Sequence, residues 1–148
     1  MGRGPTTNSG DQPDRADGVT GPIDLVVLVV DDEPVVRAFV ARALTLAGME
    51  VAVAASGREA LRLVAEDRVR PAVLVTDIEM PLMTGVELAA RLLALRPALR
   101  IVMMTGDPER AAAARGHPSI VDRVLMKPMR AAELVEAVRP AAERAPVR

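Results

Sequence analysis

Leu25-Val26-Val27-Leu28-Val29-Val30-Asp31-Asp32-Glu33-Pro34 is the stretch that decides the fold. Six consecutive aliphatic residues, four of them β-branched valines, read as a strand buried on both faces, as in the interior of a parallel sheet. Three acids follow at once. Pro34 then suits the first turn of a helix, where its missing N–H costs no hydrogen bond.

Downstream, Val36, Phe39, Val40, Ala43 and Leu44 recur at helical spacing until Gly48 ends the helix. Residues 51–55 predict a second strand, weaker and nearer an edge. Ser56 with Glu59 predicts a capping box ahead of a helix that buries Leu61, Val64 and Ala65. Residues 72–76 form a third strand that delivers Asp77 at its carboxyl end. After the loop Met80-Pro81-Leu82-Met83, Thr84 and Glu87 repeat the capping box before a helix facing inward with Val86, Ala89, Ala90 and Leu93. Residues 101–104 give a fourth strand, ending at Thr105-Gly106-Asp107-Pro108, and a short Ala-rich helix covers residues 109–115. A fifth strand lies within residues 121–126 and is closed by Lys127-Pro128. The last helix packs with Ala131, Leu134, Val135 and Val138 and is expected to fray near Pro140. Five strands alternating with five helices predict an α/β fold: a flavodoxin-like (βα)5 three-layer sandwich with a five-stranded parallel sheet in the order 2-1-3-4-5.

Composition narrows the function. The 148 residues suit one domain, and half of them are apolar. Without cysteine there is no disulfide scaffold, thiolate metal site or cysteine nucleophile. Nineteen Lys and Arg against 20 Asp and Glu leave a net charge of −1, and one Phe is the only aromatic besides His117. That balance argues against nucleic-acid binding, which needs a basic footprint and stacking platforms. Residues 1–22 are rich in Gly, Pro, Asp and Thr, and are expected to be a disordered tail or linker. They hold no signal-peptide apolar stretch, and six residues is the longest apolar run, so a soluble, cytoplasmic protein without membrane contact is expected. No Gly-rich phosphate loop of either common pattern is present.

In an open α/β sheet, ligands bind outside the carboxyl ends of the strands, at the switch in strand order. Strand one delivers Asp31 and Asp32 there, strand three Asp77, strand four Thr105 and strand five Lys127. Three converging carboxylates repel one another unless a cation neutralises them, and oxygen ligands with room for water describe Mg²⁺. A carboxylate beside Mg²⁺ can attack a phosphoryl group to give an aspartyl phosphate, with an ammonium and a hydroxyl to hold the oxygens. Each residue has a plainer reading too. Asp31 or Asp32 alone would read as a cap of the helix at Pro34; Asp77 and Thr105 alone would pass as loop residues, and Thr84 as an N-cap. Lys127 resists that treatment: every other basic side chain of the Lys/Arg set is Arg, and the one Lys stands at a strand end where a compact point charge suits a narrow phosphate site. His117, between Gly116 and Pro118 with no second His, reads as a solvated loop residue. The methionines Met80, Met83, Met103, Met104, Met126 and Met129 read mostly as core filler.

Together, Val29-Val30-Asp31-Asp32-Glu33-Pro34, Thr76-Asp77-Ile78-Glu79-Met80-Pro81-Leu82-Met83-Thr84-Gly85, Met104-Thr105-Gly106 and Met126-Lys127-Pro128 resemble the receiver domain of bacterial two-component response regulators. The resemblance covers residues 24–140. It implies that Asp77 is the phosphoacceptor, that Asp31, Asp32, Asp77 and the backbone carbonyl of Glu79 hold Mg²⁺, and that Thr105 and Lys127 bind phosphoryl oxygens. It also implies a cis Lys127–Pro128 peptide. The expected organisation is a tail at 1–22, a receiver at 23–142 and a C-terminal tail at 143–148. The expected role is that of a signalling protein rather than an enzyme. It would take its phosphoryl group from a histidine kinase or a histidine phosphotransfer protein and act on an unidentified downstream protein. It would do so as a monomer or a weak homodimer through helices 4 and 5. A stand-alone receiver is favoured, although the linker-like first 22 residues also fit a piece of a longer regulator or hybrid kinase.

Two positions depart from the family pattern. Thr84 replaces a common Asp and caps its helix equally well. Val124 stands where receivers usually carry the Tyr or Phe that moves inward when the Thr engages the phosphoryl group. Output is therefore expected to run through residues 105–108 and the fourth helix. Glu79 and Asp107 are expected to flank the path of the hydrolytic water. A phosphatase of the haloacid dehalogenase type uses similar groups, but its nucleophile sits in an Asp-x-Asp motif that Asp31-Asp32-Glu33 lacks. A degenerate receiver serving only as an interaction module is the remaining alternative, and all five site residues argue against it.

Overall fold

The computed structural model describes residues 26–144. The expected tail at 1–22 and the start of the first strand at Leu25 lie outside them. Five strands alternate with five helices: β1 (Val26–Val30), α1 (Pro34–Leu46), β2 (Glu50–Ala54), α2 (Gly57–Ala65), β3 (Val73–Asp77), α3 (Gly85–Leu95), β4 (Arg100–Thr105), α4 (Pro108–Arg115), β5 (Arg123–Met126) and α5 (Ala131–Arg144). The sheet is wholly parallel in the order β2-β1-β3-β4-β5, the expected arrangement.

Alternation along the strands divides the core in two. Leu28, Leu74, Ile101 and Met103 point to the side covered by α2, α3 and α4, where they meet Ala60, Val64, Leu88, Leu92 and Ala111. Val27, Val29, Val73, Val75, Val102 and Met104 point to the side covered by α1 and α5, against Val40, Leu44, Leu134 and Val138. Strands buried on both faces need continuous apolar runs, and β1 and the interior of β3 have them. The edge strand β2 is only partly covered, as its weaker sequence pattern predicts. Register aligns the strand ends: Val30 pairs with Thr76, Asp77 with Met104, and Thr105 with Met126. Residues just beyond these positions therefore share one rim of the sheet.

The helix ends follow the sequence signals closely. Pro34 opens α1 and Gly48, at φ +95°, follows its end. Thr84 and Glu87 form the full reciprocal capping box of α3. At α2 the Ser56 hydroxyl accepts from Glu59 N–H, but the Glu59 carboxylate returns one residue early, to Ala55 N–H.

Four inward faces differ from expectation. In α3 the buried set is Gly85, Leu88, Ala89 and Leu92, with Ala90 outside. Both registers satisfy the same spacing, and the close seat of Gly85 on Asp77 selects this one. In α2, Ala60 is buried and Ala65 exposed; in α5, Ala131 is exposed while Ala137, Ala141 and Ala142 are buried. Phe39, expected on the core face of α1, remains 42% exposed. Helix α5 also passes through Pro140 to Arg144 rather than fraying there, two residues into the expected tail at 143–148. The buried Ala141 and Ala142 pack in the α1–α5 core, which offsets the backbone hydrogen bond that Pro140 cannot make.

Candidate functional site

The rim gathers the expected residues into one depression. Asp31, leaving β1, is fully buried: its Oδ1 accepts from Glu33 N–H at 2.9 Å and its Oδ2 from Lys127 Nζ at 3.2 Å. The first bond is a local turn. It does not cap α1, whose N-cap is Glu33 with no side-chain bond, so Asp31 is not the capping residue of the plainer reading. Arg37, one turn into α1, donates to the Asp31 carbonyl at 2.7 Å and steadies this corner.

Asp77, the last residue of β3, is 4% exposed. Its Oδ1 lies 3.3 Å from Lys127 Nζ but receives no aligned hydrogen bond, leaving a buried oxygen short of a partner. Gly85 is required behind it, since a Cβ there would lie 2.2 Å from the Asp77 carbonyl oxygen. Asp32 is exposed at the mouth, and Asp31, Asp32 and Asp77 each offer an oxygen within 4.8 Å of the others. Lys127, just after β5, reaches three acids: Asp31, Asp77 and, at 3.7 Å, Glu33. The Lys127–Pro128 peptide that follows it is cis, as the resemblance implied.

Charge here is unbalanced. Burial pushes the Asp77 carboxyl up to about 6; Lys127 opposes the shift, and Asp31 and Glu79 add to it. Burial alone would lower the Lys127 ammonium, but attraction to Asp31 and Asp77 and the hydrogen bond it donates to Asp31 prevail and hold it above the ordinary lysine value.

Thr105, fully buried at the end of β4, donates its hydroxyl to Glu79 Oε2 at 2.5 Å and accepts from Asp107 N–H at 3.0 Å. Glu79 also pairs with Arg110 Nε of α4 at 3.3 Å, and Asp107 Oδ2 lies 3.5 Å from the same nitrogen. The sequence placed Glu79 by its backbone carbonyl and beside the path of the hydrolytic water, but not its side-chain bonds, and it missed Arg37, Arg110 and the Lys127–Glu33 contact at the site. The Asp107–Arg110 spacing is legible along the chain, but the link from Arg110 to Glu79 joins two loops and appears only in the fold. Val124 is buried beside Ala111 and Ala114 of α4. His117 is exposed; Met80, Met103 and Met104 are core, whereas Met126 is exposed.

Chemically, this is an acidic cavity with one ammonium, one hydroxyl and one underbonded carboxylate oxygen. A hard divalent cation fits the three carboxylates and the orphaned oxygen of Asp77. Residues 27–139 match the response regulator receiver domain. The chain belongs to the response regulator receiver family. Over 122 residues this receiver is 38% identical to the transcriptional regulatory protein PrrA of Mycobacterium bovis, an alignment that covers 82% of the chain and 50% of PrrA. It is 45% identical over 87 residues to a protein-glutamate methylesterase/protein-glutamine glutaminase of Caulobacter vibrioides, covering 58% of the receiver and 24% of that enzyme. A crystal structure of a response regulator receiver domain protein from Clostridium thermocellum superposes with a TM-score of 0.73 at 28% identity, covering 81% of this chain and 95% of that one. The receiver thus spans about half the length of PrrA, or less of the methylesterase. Among the described residues, no helix is long and apolar enough to cross a membrane.

Proposed function

We propose that this receiver, spanning residues 23–142, is the phosphoacceptor of a cytoplasmic two-component phosphorelay, with Asp77 as the residue modified. The observation that carries the reading is the buried Asp77 Oδ1, underbonded and 3.3 Å from the one lysine of the chain. A carboxyl near 6 is mostly ionised at neutral pH and can attack.

In the proposed transfer, an Asp77 carboxylate oxygen forms a bond to the phosphorus of a phosphohistidine. The donor is a histidine kinase or a histidine phosphotransfer protein. The P–N bond breaks, and its electron pair stays on the imidazole. Lys127 neutralises one phosphoryl oxygen, and the Thr105 hydroxyl donates to another. Asp31, Asp32, Asp77 and the Glu79 carbonyl would hold Mg²⁺, which supplies charge neutralisation for the acidic cavity and the transferred group. The receiver assists only its own phosphorylation and dephosphorylation and passes the signal by contact with a downstream protein. It acts as a monomer or a weak homodimer through α4 and α5, whose exposed Arg110, Arg115, Glu133 and Glu136 carry both signs.

Intact-protein mass after incubation with acetyl phosphate tests this, with and without Mg²⁺, for wild type and Asp77→Asn. A Mg²⁺-dependent gain of one phosphoryl group, absent in the variant, is expected. Folded wild type that gains nothing under any condition would leave an interaction module in its place.

A further inference from the structure

We propose that the Glu79 carboxylate is a latch: in the resting receiver it holds the Thr105 hydroxyl and the Arg110 guanidinium together, tying α4 to the loop after β3, and a phosphoryl group on Asp77 opens it. This rests on Asp77 being the phosphoacceptor.

A threonine hydroxyl has one hydrogen to donate. In Thr105 it lies in the 2.5 Å bond to Glu79, while Asp107 N–H occupies the acceptor side. Thr105 can therefore serve a phosphoryl oxygen only by leaving Glu79; the two bonds exclude each other. The arriving group also brings negative charge to a cavity already lined by Asp31, Asp32 and Glu79, which drives the Glu79 carboxylate outward.

Release has a mechanical consequence. Arg110 Nε is shared between Glu79 at 3.3 Å and Asp107 at 3.5 Å. Without Glu79, Arg110 keeps only a partner at the cap of its own helix, and the bridge between the two loops is gone. The side chains of Glu79, Asp107 and Arg110 are 36, 45 and 54% exposed. Pairs so exposed are weak, so one covalent group is enough to break this one. Helix α4 is also lightly held: of its eight residues only Ala111 and Ala114 are buried, and alanines offer little surface to anchor an element. Val124 shares a core cluster with those alanines and has no ring to move. The Thr105–Glu79–Arg110 chain thus offers α4 a connection to the site that does not need one.

Resting-state NMR of Glu79→Ala, Glu79→Gln and Arg110→Ala tests the latch, with the beryllofluoride adduct of wild type as the endpoint. Glu79→Ala and Arg110→Ala are both expected to move the amides of residues 112–115, farther along α4, toward the adduct positions. The double variant should move them no farther than the larger single change, since both remove one link. Glu79→Gln keeps an acceptor for Thr105 but not the charge for Arg110, so residues 112–115 should move while Thr105 and Gly106 stay. Kinetics separates the latch from simple charge. Arg110→Ala removes a positive charge, which alone would slow reaction with anionic acetyl phosphate; an opened latch makes it about two- to fivefold faster. Shifts confined to the substituted residue and its neighbours, additive shifts, or a slower Arg110→Ala would each overturn the latch. If wild type takes up a phosphoryl group normally and these results still fail, the latch alone falls. If wild type takes up none, the phosphoacceptor reading falls and the release step with it.

Discussion

Two charge clusters sit at opposite ends of the sheet, and they are built on opposite rules. At the amino ends of the strands, Asp67 accepts from Arg70 at 2.6 and 2.9 Å and from Arg96 at 2.8 Å, all on the surface. One carboxylate has two guanidiniums, and hydrogen bonds from Arg70 and then Arg96 hold its carboxyl below the usual aspartate value. At the carboxyl ends, Asp31, Glu33 and Asp77 share Lys127, and burial pushes the Asp77 carboxyl the other way. The same residue type thus shifts in opposite directions within one small domain. The first cluster is satisfied and adds little. The second is left short of positive charge, which costs the fold stability and matches the proposed binding of a cation and a phosphoryl group there.

The sharpest way to break the contrast is Gly85→Ala. The new Cβ would meet backbone rather than a side chain that can swing away, so the loop after β3 must shift. A loss of about 3 kcal/mol or more is expected, seen as a drop in melting temperature of roughly 10 °C with phosphorylation abolished. A variant that melts within a degree or two of wild type would show that the loop yields more easily than the geometry implies.

Lys127→Met comes next. It leaves Asp31 and Asp77 without their shared cation, and a loss of about 2 kcal/mol is expected in metal-free protein at neutral pH, smaller in acid. Asp77→Asn should act in the opposite direction. A carboxyl raised from 3.8 to about 6 contributes stability that is fully present below pH 3.8 and is lost as pH rises through 6. Removing the charge should therefore stabilise the chelator-treated protein by about 1–2 kcal/mol at pH 7.5, with the difference fading below pH 4. Added Mg²⁺ should raise the melting temperature of wild type more than that of Asp77→Asn, narrowing the gap. Thermal melts across pH read all three effects, and an Asp77→Asn protein less stable than wild type at pH 7.5 would sink the linkage. Asp67→Asn should matter least. Its pairs are exposed and screened, so the melting temperature should hardly move at physiological salt.

Legibility follows the same division. The strand order and the meeting of Asp31, Asp77, Thr105 and Lys127 could be read from sequence, because each strand end places its next residue on one rim whatever the helices do. Element ends marked by a cap or a Pro, such as α3 and α1, were equally legible. Inward helix faces were not. Leu92 and Leu93 give α3 two equivalent registers, and only the backbone contact at Gly85 decides between them. Pro140 announces a helix end that the packing of Ala141 and Ala142 overrides. The Glu79–Arg110 pair escaped because it joins side chains from separate βα units, a pairing to which no spacing along the chain corresponds.

The solitary lysine has a practical consequence. Nineteen basic side chains include one primary amine, and it stands inside the cavity with 18% of its side chain exposed. A protein labelled at lysine side-chain nitrogen would give one resonance, from the ammonium between Asp31 and Asp77. Here the residue proposed to neutralise the phosphoryl group is also its own spectroscopic reporter, in a chain without tryptophan.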